Sequence, residues 1–253
     1  MFDTIRSGLA ASTRQLDIIT DNMANAKSAG FKRSTASFSD VYAATVGNQT
    51  QGIGVKLEGS RRAFSQGSIE TTQNTLDLAV LGQGMFVLGP RDGSAAPIFT
   101  REGGVTVDSE GYLVSSEGFS YLSDELEPLQ LPASWMGAAL EAVNVNSDGA
   151  IMAVYGQNEA IKVGQVGLAS FVDVARLQPL GSNRFAVSRE SGVATYGRPG
   201  GEIFGTVQAG ALEVSNVDLT NELAMMIRAQ QIYNANSRAL QTEVDLGKRL
   251  IDS

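Results

Sequence analysis

DLTNELAMMIRAQQIYNANSRALQTEVDLGKRLI, residues 218–251, reads as one long helix carrying a heptad stripe. Leu219, Leu223, Met226, Gln230, Tyr233, Ser237, Leu240, Val244, Gly247 and Ile251 follow one another in steps of three and four, the spacing that keeps side chains on one helical face. Asp218 stands where an N-cap is wanted, with Glu222 in the first turn, and Lys248 and Arg249 fall in the last turn. Each charge complements the helix dipole. At 1.5 Å per residue such a helix spans roughly 50 Å.

The other end of the chain repeats the pattern. Phe2, Ile5, Leu9, Ser12, Leu16, Ile19, Met23 and Ala26 alternate strictly between three and four, with Ser12 the one polar member. Asp3, Thr4, Arg6, Arg14, Gln15, Asp17 and Asn22 lie between them and suit a wetter face, and Gly30 is a natural C-terminal stop. This helix is expected to run about 40 Å. The two heptad helices are expected to pair as a coiled coil where the rest of the chain brings the termini together. Periodicity alone leaves two readings open. The pair is a private intramolecular coiled coil, or it completes its packing against copies of itself.

Between the helices the pattern changes. Leu76–Leu81 and Met85–Leu88 read as strands about the Gly82-Gln-Gly84 turn. Ile98–Thr100, Val105–Val107 and Tyr112–Val114 follow. Val143 and Val145 lead into Asp148-Gly149, a good hairpin turn, and Ile151–Tyr155 answers them. Val166–Val172 and Phe185–Val187 add further strands. The expected class is α+β: a helical domain from residues 1–30 and 218–253, an extended link over 31–75, and a central, mostly antiparallel β domain over 76–217.

Composition narrows the function. The 253 residues include no cysteine and no histidine. Disulfides, thiolate nucleophiles, Ser-His-Asp and Cys-His sites are therefore impossible within this chain, and the commonest metal ligands are missing. A formal charge of -8 disfavours nucleic acid as a partner. No basic run is longer than the two residues of Arg61–Arg62, too short for a membrane-surface anchor, and no apolar run approaches the 18 or so residues of a membrane span. The first thirty residues are broken by Asp3, Arg6, Arg14 and Asp17, so no signal-peptide core forms. Ordinary rules then give a cytosolic protein, though a non-classical export route leaves no mark that these rules detect. No cofactor or metal is expected. Gly82-x-Gly84 precedes a strand and not a helix, so it implies no phosphate cradle. Asn144-x-Asn146-x-Asp148-Gly149 imitates the start of a calcium loop, but its twelfth position is Tyr155 and not Glu, so a hairpin is expected. The acidic run Asp124-Glu125-Glu127 beside Pro128 reads as a solvated loop.

Two motifs are more specific. Leu16-Asp-Ile-Ile-Thr-Asp-Asn22-Met-Ala-Asn25 runs on to Gly30-Phe-Lys-Arg33 and Phe38. Gly210-Ala-Leu-Glu213 and Ser215-Asn-Val-Asp218 lead into Glu222-Leu223, Met226-Ile227, Ala229-Gln230 and Tyr233. Locally, Asn22 and Asn25 near a helix end can bond free backbone groups or a neighbouring chain, Gly30 permits a left-handed turn, and Phe31 can staple the outgoing chain. Together the motifs resemble the N- and C-terminal signatures of the flagellar rod and hook family. Asn74–Ala79, Gly84-Met-Phe86, Thr100–Gly103 and Gly111–Val114 fall in that family's order, so the resemblance covers nearly the whole chain. Ser28-Ala29 and Val105 depart from the usual pattern without touching either seam.

The resemblance implies a structural, non-enzymatic subunit of the flagellar basal body. Its helices would form the inner core of a helical tube that transmits torque, and its β domain the outer shell. Its partners would be copies of itself, other rod and hook subunits, and the type III export apparatus that releases it without signal cleavage. The expected self-assembly residues are Ile5, Leu9, Leu16, Ile19, Asn22, Met23, Asn25 and Phe31, with Leu219, Leu223, Met226, Gln230, Tyr233, Leu240, Val244 and Ile251. The length and the short stretch from Phe38 to Gly52 point to the proximal rod, with a distal rod or compact hook subunit as alternatives. A secreted β-domain binding module with a private coiled coil is the reading from another class.

Overall fold

The computed structural model describes residues 2–42, 52–156 and 159–251. The chain divides into two compact units. The first gathers three separate stretches, Met1–Ala26, Arg33–Ala63 and Val217–Ser253. The second holds Lys27–Lys32 and Phe64–Asn216.

In the first unit α1 (Phe2–Ala24) and α2 (Leu219–Ile251) are the two helices expected at the chain's ends. Asp218 caps α2 as expected: its carboxylate accepts from the N–H of Thr220 at 2.9 Å, and its carbonyl from Glu222 at 2.9 Å. The expected extended link contributes an antiparallel ladder here, β1 (Ser34–Tyr42) against β2 (Gly52–Arg62). Register shifts at Ser37/Phe38 and Val41/Tyr42 mark bulges in that ladder.

The second unit is the β body. In chain order its strands are β3 (Ile69–Thr71), β4 (Leu78–Leu81), β5 (Met85–Gly89), β6 (Ile98–Thr100), β7 (Thr106–Val107), β8 (Leu113–Val114) and β9 (Ser120–Tyr121). Then come β10 (Ser134–Trp135), β11 (Ala138–Val145), β12 (Ala150–Tyr155), β13 (Ile161–Gln165), β14 (Leu168–Ser170), β15 (Gln178–Gly181) and β16 (Arg184–Ala186). The last are β17 (Thr195–Gly197), β18 (Thr206–Ala209) and β19 (Ala211–Glu213). The main sheet runs β15-β16-β6-β5-β9-β8-β7, with β14 on β5 and β17, and β10-β11-β12-β13 form a second sheet. The β4/β18 and β3/β19 pairs close the set, and all pairs among these strands are antiparallel.

Strand β5 explains where the core sits. Alternate side chains on a strand point to opposite faces, and here both faces are covered. Phe86 and Leu88 join Leu113, Tyr121, Ile151 and Leu168 on one side. Met85 and Val87 join Phe99, Leu122 and Phe185 on the other. Each large apolar side chain so buried contributes about 1.5–3 kcal/mol. The calcium-like motif forms the β11/β12 hairpin, with Gly149 at φ 79 and its N–H on the carbonyl of Asn146 at 2.9 Å.

Candidate assembly interface

Within the first unit α1 lies between α2 and the β1/β2 ladder. The two helices run antiparallel. Gly8 of α1 faces Asn236 of α2, and further along Ile19 and Asn22 line one cavity with Glu222 and Met225. A Cβ on Gly8 would stand 3.0 Å from the Asn236 Nδ2 atom, so the missing side chain is what allows this approach. On α1 the buried residues Ser12 and Ile19 belong to the expected seam, and Ile5, Leu9, Leu16 and Met23 beside them are half-buried.

On α2 the buried edge differs from the expected stripe. Glu222 and Ala229 are sealed, and Met226, Ser237, Leu240 and Gly247 are half-buried. Leu219, Leu223, Gln230, Tyr233 and Val244 are exposed, Leu223 at 48%. At about 100° per residue, the buried edge is turned roughly 60° from the centre of the expected seam. The cause is polar. Arg33 donates its Nε–H to the buried Glu222 carboxylate at 2.5 Å, and its guanidinium also reaches the Met225 sulfur at 3.5 Å. That ion pair fixes the rotation of α2. Its apolar stripe, extended by Ile227, is left facing outward. The side chain of Ile251 lies outside the described residues.

The asparagines of the N-terminal signature serve the fold. The Asn22 amide is sealed and pairs with the backbone of Ser34 in both directions, donating to its carbonyl and accepting from its N–H, each at 2.8 Å. It thus acts as a backbone substitute that lays β1 along α1. Asn25, half-buried, donates to the carbonyl of Asp21 at 2.9 Å and to its carboxylate at 3.1 Å.

The Gly30-Phe-Lys32 part of that signature lies in the second unit. Gly30 adopts φ 67, and a Cβ there would meet the backbone N of Glu102 at 2.4 Å, so only glycine fits. Phe31 is buried, 3% exposed. Lys32 donates to Glu213 at 2.5 Å and to the Ser65 carbonyl at 2.9 Å. Arg101 donates to the same carboxylate at 3.1 Å and to the carbonyls of Val80 and Gly82. The Gly67 N–H is a further donor to Glu213, at 2.9 Å. One sealed carboxylate therefore serves two cations. Burial pushes the Lys32 ammonium below its ordinary range, and its bond to Glu213 pulls back against that shift. Burial lowers Arg101 likewise.

Sequence reasoning did not single out Arg33, Arg101, Glu213, Glu222 or Ile227 as site residues. The available signal was the pairing of Lys32-Arg33 in one motif with Glu213 and Glu222 in the other, opposite charges at fixed places at the two ends of one chain. Among the described residues no helix is long and apolar enough to cross a membrane, and no cluster of acidic side chains could hold a metal.

Comparison with known proteins agrees with this arrangement at both ends and in the middle. Residues 2–32 match the family model for the flagella basal body rod protein. Residues 79–153 match the D1 domain of the flagellar hook protein FlgE/F/G, and residues 208–252 match the C-terminal region of the flagellar basal body rod FlgEFG proteins. The flagellar basal-body rod protein FlgG of Borreliella burgdorferi is 32% identical over 94% of this chain and 92% of its own length. FlgG of Bacillus subtilis is 31% identical over 97% of this chain and 96% of its own. The flagellar hook protein FlgE of Escherichia coli is 23% identical, with 99% of each chain covered. The chain belongs to the flagellar basal-body rod and hook protein family, a family of structural proteins and not of enzymes.

Proposed function

We propose that this chain is a structural subunit of the flagellar rod, polymerising through its terminal helices into a tube that carries torque for motility. One observation supports this above others. The first unit pairs α1 with α2 yet leaves Leu219, Leu223, Ile227 and Tyr233 of α2 exposed. An apolar stripe on a helix that already has one partner is suited to a second.

In this reading residues 1–30 and 218–253 form the assembling core, α1 and α2 continue as a coiled coil, and residues 76–217 form the outer body. The interface residues divide by role. Leu219, Leu223, Gln230, Tyr233 and Val244 meet neighbouring subunits. Ile5, Leu9, Leu16, Ile19, Met23, Met226 and Leu240 hold the helix pair together, and Asn22, Asn25 and Phe31 set the exit of the chain from α1. The partners are copies of the chain and other rod and hook subunits, with delivery by the flagellar type III export apparatus.

The short stretch from Phe38 to Gly52 supports a proximal position. The breadth of the match to the FlgG proteins favours the rod position that those proteins hold, as a second reading. A map of purified basal bodies, with this subunit located along the axis, decides between them. A chain absent from the rod in that map overturns the proposal.

A binding module with a private helix pair makes the opposite prediction in solution. Limited proteolysis of a rod subunit's monomer trims it to a core of roughly residues 35–215, because unpolymerised ends open easily. A binding module resists at both ends.

A further inference from the structure

A cavity of about 510 Å³ opens in the second unit between the Gly82–Gly84 turn and the Ala169–Val174 segment. Phe64, Met85, Phe171 and Val172 give it an apolar wall, and Gln66 and Arg101 also line it. Val172 stands at the rim, 91% exposed. The Arg101 side chain is only 8% exposed. A guanidinium carries five N–H donors, and those of Arg101 meet three acceptors: Val80, Gly82 and Glu213. Its neighbour Lys32 draws on the same single carboxylate. The cavity therefore joins an apolar surface to a buried cation that shares its counter-charge. Asp173, also in the lining, has its carboxylate engaged by the Ala175 N–H at 2.9 Å.

The same unit carries a surface of the opposite kind. In the Asp124–Pro128 turn Leu126 sits at φ 66 and is exposed. A bulky residue held in the left-handed region and offered to solvent points to use at that place. Asp124 is paired with Arg198 at 2.7 Å. The flanking Glu125 and Glu127 are exposed, and Glu125 adds its charge to that of Asp124 beside Arg198. The turn itself is braced by the Ser123 N–H on the Glu127 carbonyl at 2.8 Å and the Leu126 N–H on the Ser123 carbonyl at 3.1 Å.

We propose that the cavity beside Arg101 receives the Glu125–Glu127 turn of a second copy of this chain, with Leu126 on the apolar wall and a glutamate on the free edge of the guanidinium. The incoming carboxylate adds a second anion beside Arg101, which shares Glu213 with Lys32. A knob and a hole on different surfaces of one chain make a heterologous contact, which propagates into a helical array instead of closing as a dimer. This contact rests on the rod reading and adds to it a lateral joint between β bodies.

The natural absence of cysteine makes a clean test possible. Val172→Cys and Glu127→Cys chains, both altered at exposed positions, are expressed together or singly, and basal bodies are purified and mildly oxidised. Disulfide-linked dimers are expected from the mixture and from neither variant alone. Rods that contain both variants and yield only monomers overturn the contact and leave the rod reading standing. Dimers from Val172→Cys alone also overturn it, since they indicate a like-to-like contact. Absence of the wild-type chain from basal bodies overturns the rod reading and this contact with it.

Discussion

The ammonium of Lys32 and the carboxylate of Glu213 lie 2.5 Å apart, both sealed from solvent, and 181 residues of chain separate them. The pair ties the exit of the N-terminal signature to the entry of the C-terminal one. Two segments that are far apart in sequence become one structural element.

Glu213→Gln removes the carboxylate that Lys32 and Arg101 share. Removing one partner of a buried ion pair costs about 3–5 kcal/mol, because the remaining charge is left uncompensated. Glu213→Gln is expected to lower the urea-unfolding free energy by that amount. Lys32→Met, which leaves the Arg101–Glu213 pair in place, is expected to cost less. Equal losses in the two variants would show that the cluster does not act through its charge balance.

The same lysine gives a pH signature. Burial lowers its folded-state pKa from the ordinary value, and the unfolded chain retains that value at about 10.4. Between the two values the unfolded state binds more protons at this site, so the site's contribution to stability rises with pH. The unfolding free energy of the wild-type chain is therefore expected to gain on that of Lys32→Met between pH 7 and pH 10. A constant or shrinking difference in paired denaturation curves contradicts this.

Asn22→Ala removes both bonds to the Ser34 backbone and strands a buried N–H. An unsatisfied buried group costs about 1–3 kcal/mol. A loss in that range is expected by thermal or urea unfolding, with hydrogen exchange at Ser34 accelerated relative to the β body.

Leu223→Gln and Ile227→Gln alter side chains that the monomer leaves about half exposed, Leu223 at 48% and Ile227 at 56%. Monomer stability should move by no more than about 0.5 kcal/mol. Swimming in soft agar and recovery of the chain in basal bodies should both fall sharply. Normal motility with both substitutions present would remove the α2 stripe from the assembly surface.

Gly30→Ala places a methyl group 2.4 Å from the Glu102 backbone at φ 67. The left-handed conformation alone costs an L-residue about 1–2 kcal/mol, and the clash adds to it. A measured loss below 1 kcal/mol would mean that the loop opens freely.

The local features were legible because their physics is local. Both helices follow from the three-four spacing, the Asp218 cap from its side chain, and the 148–149 hairpin from Asp-Gly. Strand β5 was marked by its unbroken apolar run. What the sequence hid was set by partners distant along the chain. The rotation of α2 depends on Arg33 finding Glu222, and its close approach depends on Gly8 meeting Asn236. Neither leaves a periodic trace. Arg101 falls in the Thr100–Gly103 stretch of the resemblance, but its partners Lys32 and Glu213 lie far away along the chain. Residues 34–62 read as extended chain because the β1/β2 ladder, with bulges at Ser37/Phe38 and Val41/Tyr42, breaks strict alternation.

Lys32 and Arg33 are consecutive, yet each is answered from the far end of the chain, one by Glu213 and the other by Glu222. On the ribosome both cations are made early and both carboxylates late. Until synthesis has passed Glu213, neither pair can form, and α1 has no helix to lie against. The order of synthesis thus acts as a timer, keeping the nascent chain unable to complete either unit until the segment from Glu213 onward has emerged.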